Sequence, residues 1–402
     1  MEIWDVLIIG GGTAGLSAGV YCARGKQKTI LLEEKRKTGG QAATTSELEN
    51  YPGIISSTGP DLMKKFREHA EKFGVEFARG RVDKIEVAED GFHKIVTTKD
   101  GTVYNTKSVI IGTGAEPRVL GIKGEAEFKG RGVSYCATCD ADFYEDLDVV
   151  VVGSGNTAVE ESVFLTKFVN KITMIVIHEE GKMDADKVAQ EQALSNDKIN
   201  FVWNSTVDEI CGDDLVTGVN VKNIKTGEVT NLACDGVFMF VGTIPKTDFV
   251  KDLIDLNPQG YIKTNEMMET SVPGIYAAGD VRDKFLRQVI TAASDGSIAA
   301  VAAEKYIEEE ENWTNNVLSF DGEAIILFWS PVDPQSVELS TAIEGEAIEN
   351  SGKKFIKIDS YKNQLMAKKY KISTFPSVVK LDRGREVAKL IRPTFEEVKE
   401  IL

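Results

Sequence analysis

The hydrophobic pattern of the first 35 residues predicts a strand, a tight turn, a helix and a second strand. Val6–Ile9 is an apolar run, and a helical period of apolar residues from Leu16 to Tyr21 follows it across the glycine turn 10–15. The next apolar run, Thr29–Leu32, ends at Glu33. This order of elements is typical of the start of a dinucleotide-binding βαβ unit.

Three glycines of the turn and one acid carry the chemistry of this unit. Gly10 permits the tight turn, Gly12 lets backbone amides approach a pyrophosphate, and Gly15 allows the helix to pack closely on the strand. Glu33 follows Gly15 by 18 residues (33 − 15 = 18), a spacing that suits a carboxylate accepting hydrogen bonds from a ribose. The first unit is therefore predicted to bind a dinucleotide.

The same pattern returns later in the chain. The apolar run 148–152 precedes a turn with Gly153, Gly155 and Ala158, and a helix to about residue 168 follows. A second dinucleotide is implied. Apolar strands at 108–115, 237–242 and 274–280 flank this second unit, and the last of them ends in Gly-Asp, where a carboxylate can bond a ribityl hydroxyl.

The simplest architecture is an α/β fold with two Rossmann-like domains, one inserted in the other, and a further C-terminal domain. Residues 1–115 and 244–310 are predicted to bind a flavin, and residues 116–243 to bind a pyridine nucleotide and carry the reactive thiols described next. Residues 317–402 form the further domain.

Two cysteines just ahead of the second unit are the most informative feature of the chain. Cys136 and Cys139 can close a small disulfide ring, and the carboxyl group of Asp140 could protonate a leaving thiolate or a reduced flavin. The alternative is half of a zinc site, which needs four ligands. No other cysteine stands in such a pair, so we interpret the motif as a redox dithiol and predict no metal.

Composition narrows the class of partner. A formal net charge of −16 disfavours nucleic acid and anionic membranes, and no apolar run approaches the roughly 18 residues of a membrane span. The N-terminus runs straight into a strand, without a basic, cleavable leader. We expect a soluble, cytoplasmic protein of two to four domains, in which cysteines stay reduced unless one pair is catalytic.

The acidic run 307–312 is predicted to end a helix and to open a linker to about residue 318. The strands and helices expected after it follow the order of thioredoxin, which this segment resembles, and Pro376 is expected to be cis. Asp333 and Ser336 stand where thioredoxin carries its cysteine pair. We therefore predict a thioredoxin-like domain that docks, dimerises or shields, with Asp333 and Ser336 capping the following helix.

Six ordered motifs, spread over about residues 4–308, resemble the low-molecular-weight thioredoxin reductases and the reductase half of the alkyl hydroperoxide reductase flavoprotein. They are residues 10–15, 39–41, 49–53, 136–140, 279–280 and 287–289. The resemblance implies that FAD binds the outer domain and that Cys139 lies against the flavin. It also implies that Cys136 forms the mixed disulfide with a protein substrate and that Asp140 donates a proton.

The resemblance further implies which residues contact each cofactor. For FAD these are Gly10, Gly12, Thr13, Ala14, Gly15, Glu33, Gly40, Gln41, Asn50, Val82, Thr113, Gly279, Asp280, Arg287, Gln288 and Val289. For the pyridine nucleotide they are Gly153, Gly155, Asn156, Thr157, Ala158, Glu179 and Gly242.

The chain departs from the NADPH-using members at the motif that binds the 2′-phosphate. Those members carry His-Arg-Arg, whereas this chain reads His178-Glu179-Glu180. A carboxylate can bond a free 2′-hydroxyl but repels a phosphate, and residues 179–190 look similar to the NADH-using alkyl hydroperoxide reductase flavoprotein. NADH is therefore the expected donor and NADPH is disfavoured. The alternative is a decayed nucleotide site in a protein reduced by ferredoxin.

The expected activity is an FAD-dependent disulfide reductase that passes electrons through Cys136 and Cys139 to a thioredoxin-like or peroxiredoxin-like protein. The inserted domain would rotate between its two tasks on hinges near Gly114 and Gly242, and relatives imply a homodimer. The rival interpretation is a flavin-bound sensor or adaptor, in which the C-terminal domain only recruits partners.

Overall fold

The computed structural model describes residues 2–45, 48, 50–350, 352–360 and 363–401, without the side chains of 344–350. It divides into two compact units, residues 1–303 and 304–402, each of which is described by itself. Among the described residues, no helix combines the length and the apolar character that crossing a bilayer would require.

The first part of the first unit alternates strands and helices. In chain order they are β1 (Ile3–Ile9), α1 (Thr13–Arg24), β2 (Thr29–Glu33), α2 (Gly59–Lys72), β3 (Glu76–Arg79), β4 (Val82–Val87), β5 (Lys94–Thr98), β6 (Val103–Ile111) and β7 (Ala115–Pro117). Helix α2 begins after Thr58, whose hydroxyl accepts the Asp61 amide at 3.2 Å, and Pro60 in its first turn has no amide hydrogen to satisfy.

The central part of the unit and its return to the first sheet follow. The elements are β8 (Val133–Ser134), α3 (Ala137–Asp140), β9 (Asp148–Val152), α4 (Asn156–Leu165), β10 (Lys171–Ile175), α5 (Lys187–Leu194), β11 (Ile199–Val202), β12 (Ser205–Gly212), β13 (Val216–Asn223), β14 (Val229–Ala233), β15 (Gly236–Met239), β16 (Thr243–Pro245), β17 (Ile275–Ala277) and α6 (Val289–Trp313).

Two sheets organise this unit, the first mixed, with β4–β5 and β5–β6 antiparallel, and the second parallel. The first has the order β3-β2-β1-β6-β5-β4, with β17 also paired to β6, and its β1, β2, β3, β6 and β17 run parallel. The second has the order β11-β10-β9-β15-β8 and is parallel throughout. Both are Rossmann-like, and their central strands β1 and β9 are almost completely buried because helices cover such sheets on both faces.

The second sheet lies within the sequence of the first, as the hydrophobic pattern predicts. The chain leaves the first sheet through β7 and returns through β16, and these two strands pair with each other, Ala115 opposite Pro245 and Pro117 opposite Thr243. The two connections therefore run side by side. Strands β12, β13 and β14 form a separate antiparallel sheet that packs on the second one through Val207, Val219 and their neighbours.

The second unit contains a four-stranded mixed sheet. Its elements after α6 are β18 (Glu323–Trp329), α7 (Pro334–Asn350), β19 (Lys354–Asp359), α8 (Gln364–Lys369), β20 (Ser377–Asp382), β21 (Arg385–Ile391) and α9 (Phe395–Ile401). The order is β19-β18-β20-β21, with β18 parallel to β19 and antiparallel to β20. The central strand β18 is the most deeply buried.

Four sequence expectations about this unit can be compared with the structure. The Phe375–Pro376 bond is cis, as predicted, and Asp333 caps α7, because its carboxylate accepts the Ser336 amide at 2.8 Å. The prediction for Ser336 is wrong, since its side chain is buried instead of capping the helix. The predicted linker is also wrong: α6 continues to Trp313, and a π-helical turn covers Thr314–Leu318.

The reason for the missing linker is burial. Trp313 and Val317 lie in the apolar core of the second unit with Phe328, and Lys369 pairs with the buried Glu310 at 2.5 Å. Four consecutive glutamates look like a solvated run in sequence, but one of them is held inside by a lysine 59 residues later.

Candidate active site: a disulfide facing a flavin-binding surface

The structure joins Cys136 and Cys139 in a disulfide, with their Cα atoms 5.3 Å apart, so the two thiols of the motif are close enough to bond to each other. Edge strand β8 delivers the pair, because the chain leaves the second sheet at Ser134 and turns into α3 at Ala137. The Ser134 hydroxyl accepts the Cys136 amide at 3.1 Å and donates to Asp140 Oδ2 at 2.6 Å. The Ser134 hydroxyl thus bonds both the start of the dithiol turn, at Cys136, and its end, at Asp140.

A buried carboxylate holds the residue before the first thiol. Glu125 has no exposed surface and accepts the Gly121 amide at 2.7 Å and the Tyr135 hydroxyl at 2.9 Å. Burial, and then the bond to Glu125, raises the pKa of Tyr135. The tyrosine therefore acts as a fixed neutral donor beside Cys136.

Two acids next to the dithiol have raised pKa values. Burial raises the pKa of Asp140, and the bond from Ser134 offsets this only in part. Burial also raises the pKa of Glu161 on α4, against the effect of the Thr138 amide, and Glu161 Oε2 has no hydrogen-bond partner in the described structure. Both carboxyls keep a proton to higher pH than an exposed acid. The sequence singled out Asp140 but gave no signal for Glu161.

A cavity of about 210 Å³ opens in front of the disulfide. Cys139, Thr138 and Phe143 line it on one side, and Asn50, Gln288 and Val289 line the other. Cys136 is not among its lining residues. The cavity therefore joins Cys139 to three of the residues for which the sequence resemblance implies FAD contact.

The first glycine turn has the conformation that a dinucleotide site requires. Gly10 has a φ of +101°, which favours glycine. Glu33 Oε2 accepts the Gly11 amide at 2.7 Å, so the acid lies directly beside the turn. At Gly12 an added Cβ would meet only the Cα of Gly40, at 4.0 Å, which leaves the turn open on the side facing Gly40.

Two orphaned polar atoms show that FAD fits this surface. Asp280 Oδ1 and Arg287 Nε are buried and have no hydrogen-bond partner among the described residues, although buried polar groups are nearly always paired. Burial raises the pKa of Asp280, and the cations of Lys284 and Arg287 oppose the shift. The hydroxyls and phosphates of a bound FAD would supply the missing partners.

The other predicted flavin contacts lie around the same surface. Thr13, Ala14 and Gly15 form the first turn of α1, Gly279 has a φ of +79°, and Val289 begins α6. Gln41 bonds the carbonyl of Ala115, and Thr113 bonds that of Lys246 at 2.9 Å. Val82 differs, because its side chain is buried in the core beneath the sheet, so only its main chain is available to a cofactor.

One structural device behind this surface was missed from the sequence. Asp295 of α6 accepts the Gly279 amide at 3.0 Å, Arg282 Nε at 3.0 Å and Lys284 Nζ at 2.7 Å. It therefore fixes the loop that carries Asp280. The sequence has no signal for this cluster, since a single aspartate in a helix usually faces solvent.

The second glycine turn is also intact. Gly153 has a φ of +130° and an added Cβ would lie 2.3 Å from the Phe240 carbonyl, whereas Gly155 faces open space. Ala158 is buried in the first turns of α4, and Asn156 and Thr157 are exposed beside it. Gly242, with a φ of +99°, is distant from this turn in sequence and directly precedes β16, where the chain returns to the first sheet.

One of the acids after β10, Asp184, lies against this turn. Asp184 Oδ2 accepts the Ser154 hydroxyl at 3.2 Å and pairs with His178 Nε2 at 2.8 Å. Glu179 pairs with Lys225 at 3.0 Å and Lys182 at 3.2 Å, and these bonds lower its pKa. The carboxylate predicted to bond a ribose is therefore held by two lysines, while Asp184 approaches the turn directly.

Comparison with known proteins agrees with this site. The family model for pyridine nucleotide-disulphide oxidoreductases matches residues 4–296. The thioredoxin reductase of Peptoclostridium acidaminophilum is 47% identical over 314 residues, which are 76% of this chain and 98% of the relative. The thioredoxin reductase of Bacillus subtilis (strain 168) is 44% identical over 309 residues, 77% of this chain and 96% of the relative.

Solved structures agree in the same region. Thioredoxin reductase from Streptococcus pyogenes MGAS5005 is 46% identical with a TM-score of 0.71, covering 76% of this chain and 99% of that one. Thioredoxin reductase from Giardia duodenalis is 35% identical with a TM-score of 0.72, covering 77% and 100%. The family implies FAD and a pyridine nucleotide as cofactors. Since nearly the whole of each relative is matched, this chain is an oxidoreductase that belongs to the thioredoxin reductase family of pyridine nucleotide-disulphide oxidoreductases.

Proposed function

We propose that the chain reduces the disulfide of a thioredoxin-like protein, with NADH as the preferred electron donor. The observation that carries the proposal is the cavity that Cys139 lines together with Asn50, Gln288 and Val289, and that Cys136 does not line. When bound, FAD supplies a two-electron carrier between the pyridine nucleotide and the disulfide. The two thiols then have separate tasks, one on the flavin side and one on the substrate side.

The exchange chemistry follows from this division. Two electrons and one proton, taken up together, break the Cys136–Cys139 bond and leave one thiolate and one thiol. The Cys136 thiolate attacks one sulfur of the substrate disulfide, and the other substrate sulfur leaves as a thiolate and takes a proton. Cys139 then attacks Cys136, re-forms the internal disulfide and releases the second substrate sulfur. Asp140, with its raised pKa, is the proton source nearest to this turn.

The proposed FAD-binding residues are those that surround the first turn and the cavity. Glu33 and the amides beside Gly12 would hold the adenosine and pyrophosphate, and Asp280 and Arg287 would take the remaining hydroxyls and phosphates through their unpartnered atoms. The proposed flavin domain is residues 1–115 and 244–310, and the proposed nucleotide domain is residues 116–243. The paired strands β7 and β16 support these bounds.

The preference for NADH is proposed from the acids beside the second turn. Asp184 reaches Ser154 within that turn, and Glu179 and Glu180 replace the arginines of NADPH-using members. Lys182 and Lys225 partly neutralise Glu179, so the repulsion of a 2′-phosphate is shared with Glu180 and Asp184. A free 2′-hydroxyl can instead donate to a carboxylate here.

We expect the FAD-loaded protein to oxidise NADH at least about tenfold more efficiently than NADPH, a ratio that needs only about 1.4 kcal/mol. Replacing Glu179 and Glu180 with Arg should narrow or invert the ratio of kcat/KM values. The matched control replaces both with Gln, which removes repulsion without adding attraction, and should give an intermediate ratio. An unchanged ratio in both variants would show that these acids do not select the donor.

The second candidate donor is a reduced ferredoxin. The pairing of Glu179 with Lys182 and Lys225 favours it, because a carboxylate already held by two lysines is less available to bond a nucleotide ribose. Anaerobic titration of the bound flavin with NADH, NADPH and reduced ferredoxin separates the candidates. Bleaching by ferredoxin alone would overturn the NADH proposal. Steady turnover of a disulfide protein with any donor would exclude the rival function of a flavin-bound sensor or adaptor.

For the second unit we propose a thioredoxin-like fold without redox function. The order of β18, α7, β19, α8, β20, β21 and α9 and the cis bond before Pro376 support the fold. Asp333 and Ser336 replace the thiols, and no cysteine follows Cys234. The proposed role is docking of the partner protein or dimerisation of a cytoplasmic homodimer, with peroxiredoxin-like proteins as the alternative partner.

Removing residues 317–402 tests this role. We expect FAD binding and reduction of Cys136–Cys139 to persist, because the cavity residues all lie in the first unit, while partner KM or the mass in solution changes. Trp313 should be replaced with Gln in the same variant, since truncation exposes it. Stopped-flow reduction and light scattering measure the two effects, with the full-length Trp313→Gln protein as control. Loss of flavin reduction only on truncation would contradict the proposed role.

A further inference from the structure

The residue between the two thiols is linked to the flavin side by a chain of hydrogen bonds. Asn50 Nδ2 donates to Gln288 Oε1 at 3.2 Å, and Gln288 Nε2 donates to Thr138 Oγ1 at 2.8 Å. Thr138 Oγ1 lies 3.5 Å from Cys136 Sγ, within the longer reach of a sulfur hydrogen bond. These contacts connect the loops that carry Asn50 and Gln288 to the dithiol turn and the first thiol.

The directions of the bonds in this chain are consistent with one another. The Gln288 carbonyl oxygen accepts from Asn50, and the Gln288 amide nitrogen faces Thr138 and donates to it. In the disulfide, Cys136 Sγ has no hydrogen. The Thr138 hydroxyl therefore accepts from Gln288 and donates its own hydrogen towards Cys136 Sγ.

Resting on the proposed thiol exchange, we infer that Thr138 is a catalytic hydrogen-bond donor that stabilises the thiolate form of Cys136. In the disulfide, the Thr138 hydroxyl donates to an uncharged sulfur. Once the S–S bond is broken, it donates to a thiolate, and hydrogen bonds to charged acceptors are stronger. The extra stabilisation appears when Cys136 is ready to attack the substrate.

The electrostatic surroundings make such a donor necessary. The titratable groups around the turn are mostly acids: Asp140 and Asp142 after Cys139, Glu161 on α4, and the Tyr135–Glu125 pair on the other side. The nearby cation, Lys129, lies over the Tyr135 ring at 5.4 Å. In their ionised forms these acids oppose a thiolate by like charge, and a neutral hydroxyl that donates to Cys136 offsets part of that effect.

The position of Thr138 suits a thiol whose turn is expected to move between the flavin surface and the protein substrate. Thr138 and Cys136 belong to the same turn, so their contact is retained wherever the turn moves, whereas the bonds through Gln288 and Asn50 exist only against the outer sheet. Gln288 thus aligns the hydroxyl at the flavin surface, and the donor to Cys136 itself does not depend on it.

The test measures the thiolate directly and requires no substrate protein. In a Cys139→Ser background, the pH midpoint for iodoacetamide alkylation of Cys136 is read by peptide mass mapping. Adding Thr138→Val should raise the midpoint by about one unit, which is about tenfold less thiolate at a pH well below it. Adding Thr138→Ala should do the same, and adding Thr138→Ser, which keeps the hydroxyl, should restore the parent midpoint.

Each outcome decides the inference. Equal midpoints in the parent, Val, Ala and Ser proteins would overturn it. An equal shift in all three substituted proteins would also overturn it, because the Ser protein keeps the hydroxyl and should not shift with the two that lack it. If Val disturbs folding, as judged by circular dichroism, the Ala and Ser pair still decides. Failure of disulfide turnover by the otherwise native enzyme would instead refute the proposed function, and that is a separate measurement.

Discussion

Replacing Cys139 with Ser is expected to reduce disulfide turnover by about 10³-fold or more, because residues that act as one catalytic unit lose nearly all activity together. The variant keeps every proposed FAD contact, since the side chain of Cys139 lines the cavity but belongs to none of the cofactor-binding turns. Flavin content and thermal midpoint should stay close to those of the native protein. Steady-state reduction of a thioredoxin disulfide measures the loss.

The matched variant, Cys136→Ser, should be equally inactive but should differ in trapping a substrate. A thioredoxin with a single active-site cysteine, activated as its thionitrobenzoate mixed disulfide, should form a covalent adduct with Cys139→Ser through Cys136. It should react much more slowly with Cys136→Ser, in which the remaining thiol faces the cavity. The reverse pattern would exchange the two roles, and native turnover in either variant would refute the dithiol assignment.

Cys211→Ser serves as the control for both. Its thiol is free and half-buried on β12, away from the disulfide in the fold. Cys234 is unsuitable, because it is buried with a pKa raised to about 12 by desolvation and its substitution would disturb the core. Activity that survives Cys211→Ser and is lost with either cysteine of the pair shows that the loss is specific to the dithiol.

The parts of the site that the sequence predicted are those set by local backbone chemistry. Gly10 and Gly153 need a positive φ that other residues adopt only with strain, and Cys136 and Cys139 close a ring within one turn. Such requirements are satisfied within a few residues. They can therefore be predicted from the sequence before any tertiary contact is known.

The parts that were missed depend on contacts between distant residues. Thr138 meets Gln288 across 150 positions, and Glu179 meets Lys225 across 46. No local sequence pattern reveals these partners. A polar residue such as Gln288 or Lys225 looks the same in the sequence whether or not it is paired. The predicted linker failed for the same reason, since only the fold shows that Trp313 has a core to enter.

Alanine substitutions at two glycines of the first turn should have separate effects, one on the stability of the fold and the other on FAD affinity. An Ala at Gly15 places its Cβ 1.9 Å from the Gly10 carbonyl oxygen, so α1 must move off β1. Forced overpacking costs about 3 kcal/mol or more, equivalent to roughly 6–12 °C in the thermal midpoint of a domain of this size. We expect Gly15→Ala to lower the midpoint of the flavin-free protein by that amount.

Gly12→Ala should show the opposite behaviour. Gly12 has a φ of −76°, which any residue adopts, and its added Cβ would meet only Gly40 Cα at 4.0 Å, so the flavin-free protein should melt as the native one does. The methyl group occupies the side from which the amides approach a pyrophosphate, and we expect FAD affinity to fall at least about tenfold, or about 1.4 kcal/mol. Fluorescence titration of the flavin-free protein measures this.

Gly155→Ala is the matched control, because its added Cβ meets open space in the equivalent position of the second turn. It should change neither the thermal midpoint nor FAD affinity, since the FAD-binding turn is the first one. Equal loss of FAD affinity in Gly12→Ala and Gly155→Ala would contradict the assignment of FAD to the first turn. A native FAD affinity in Gly12→Ala, with a normal thermal midpoint, would show that the pyrophosphate does not approach the chain at Gly12.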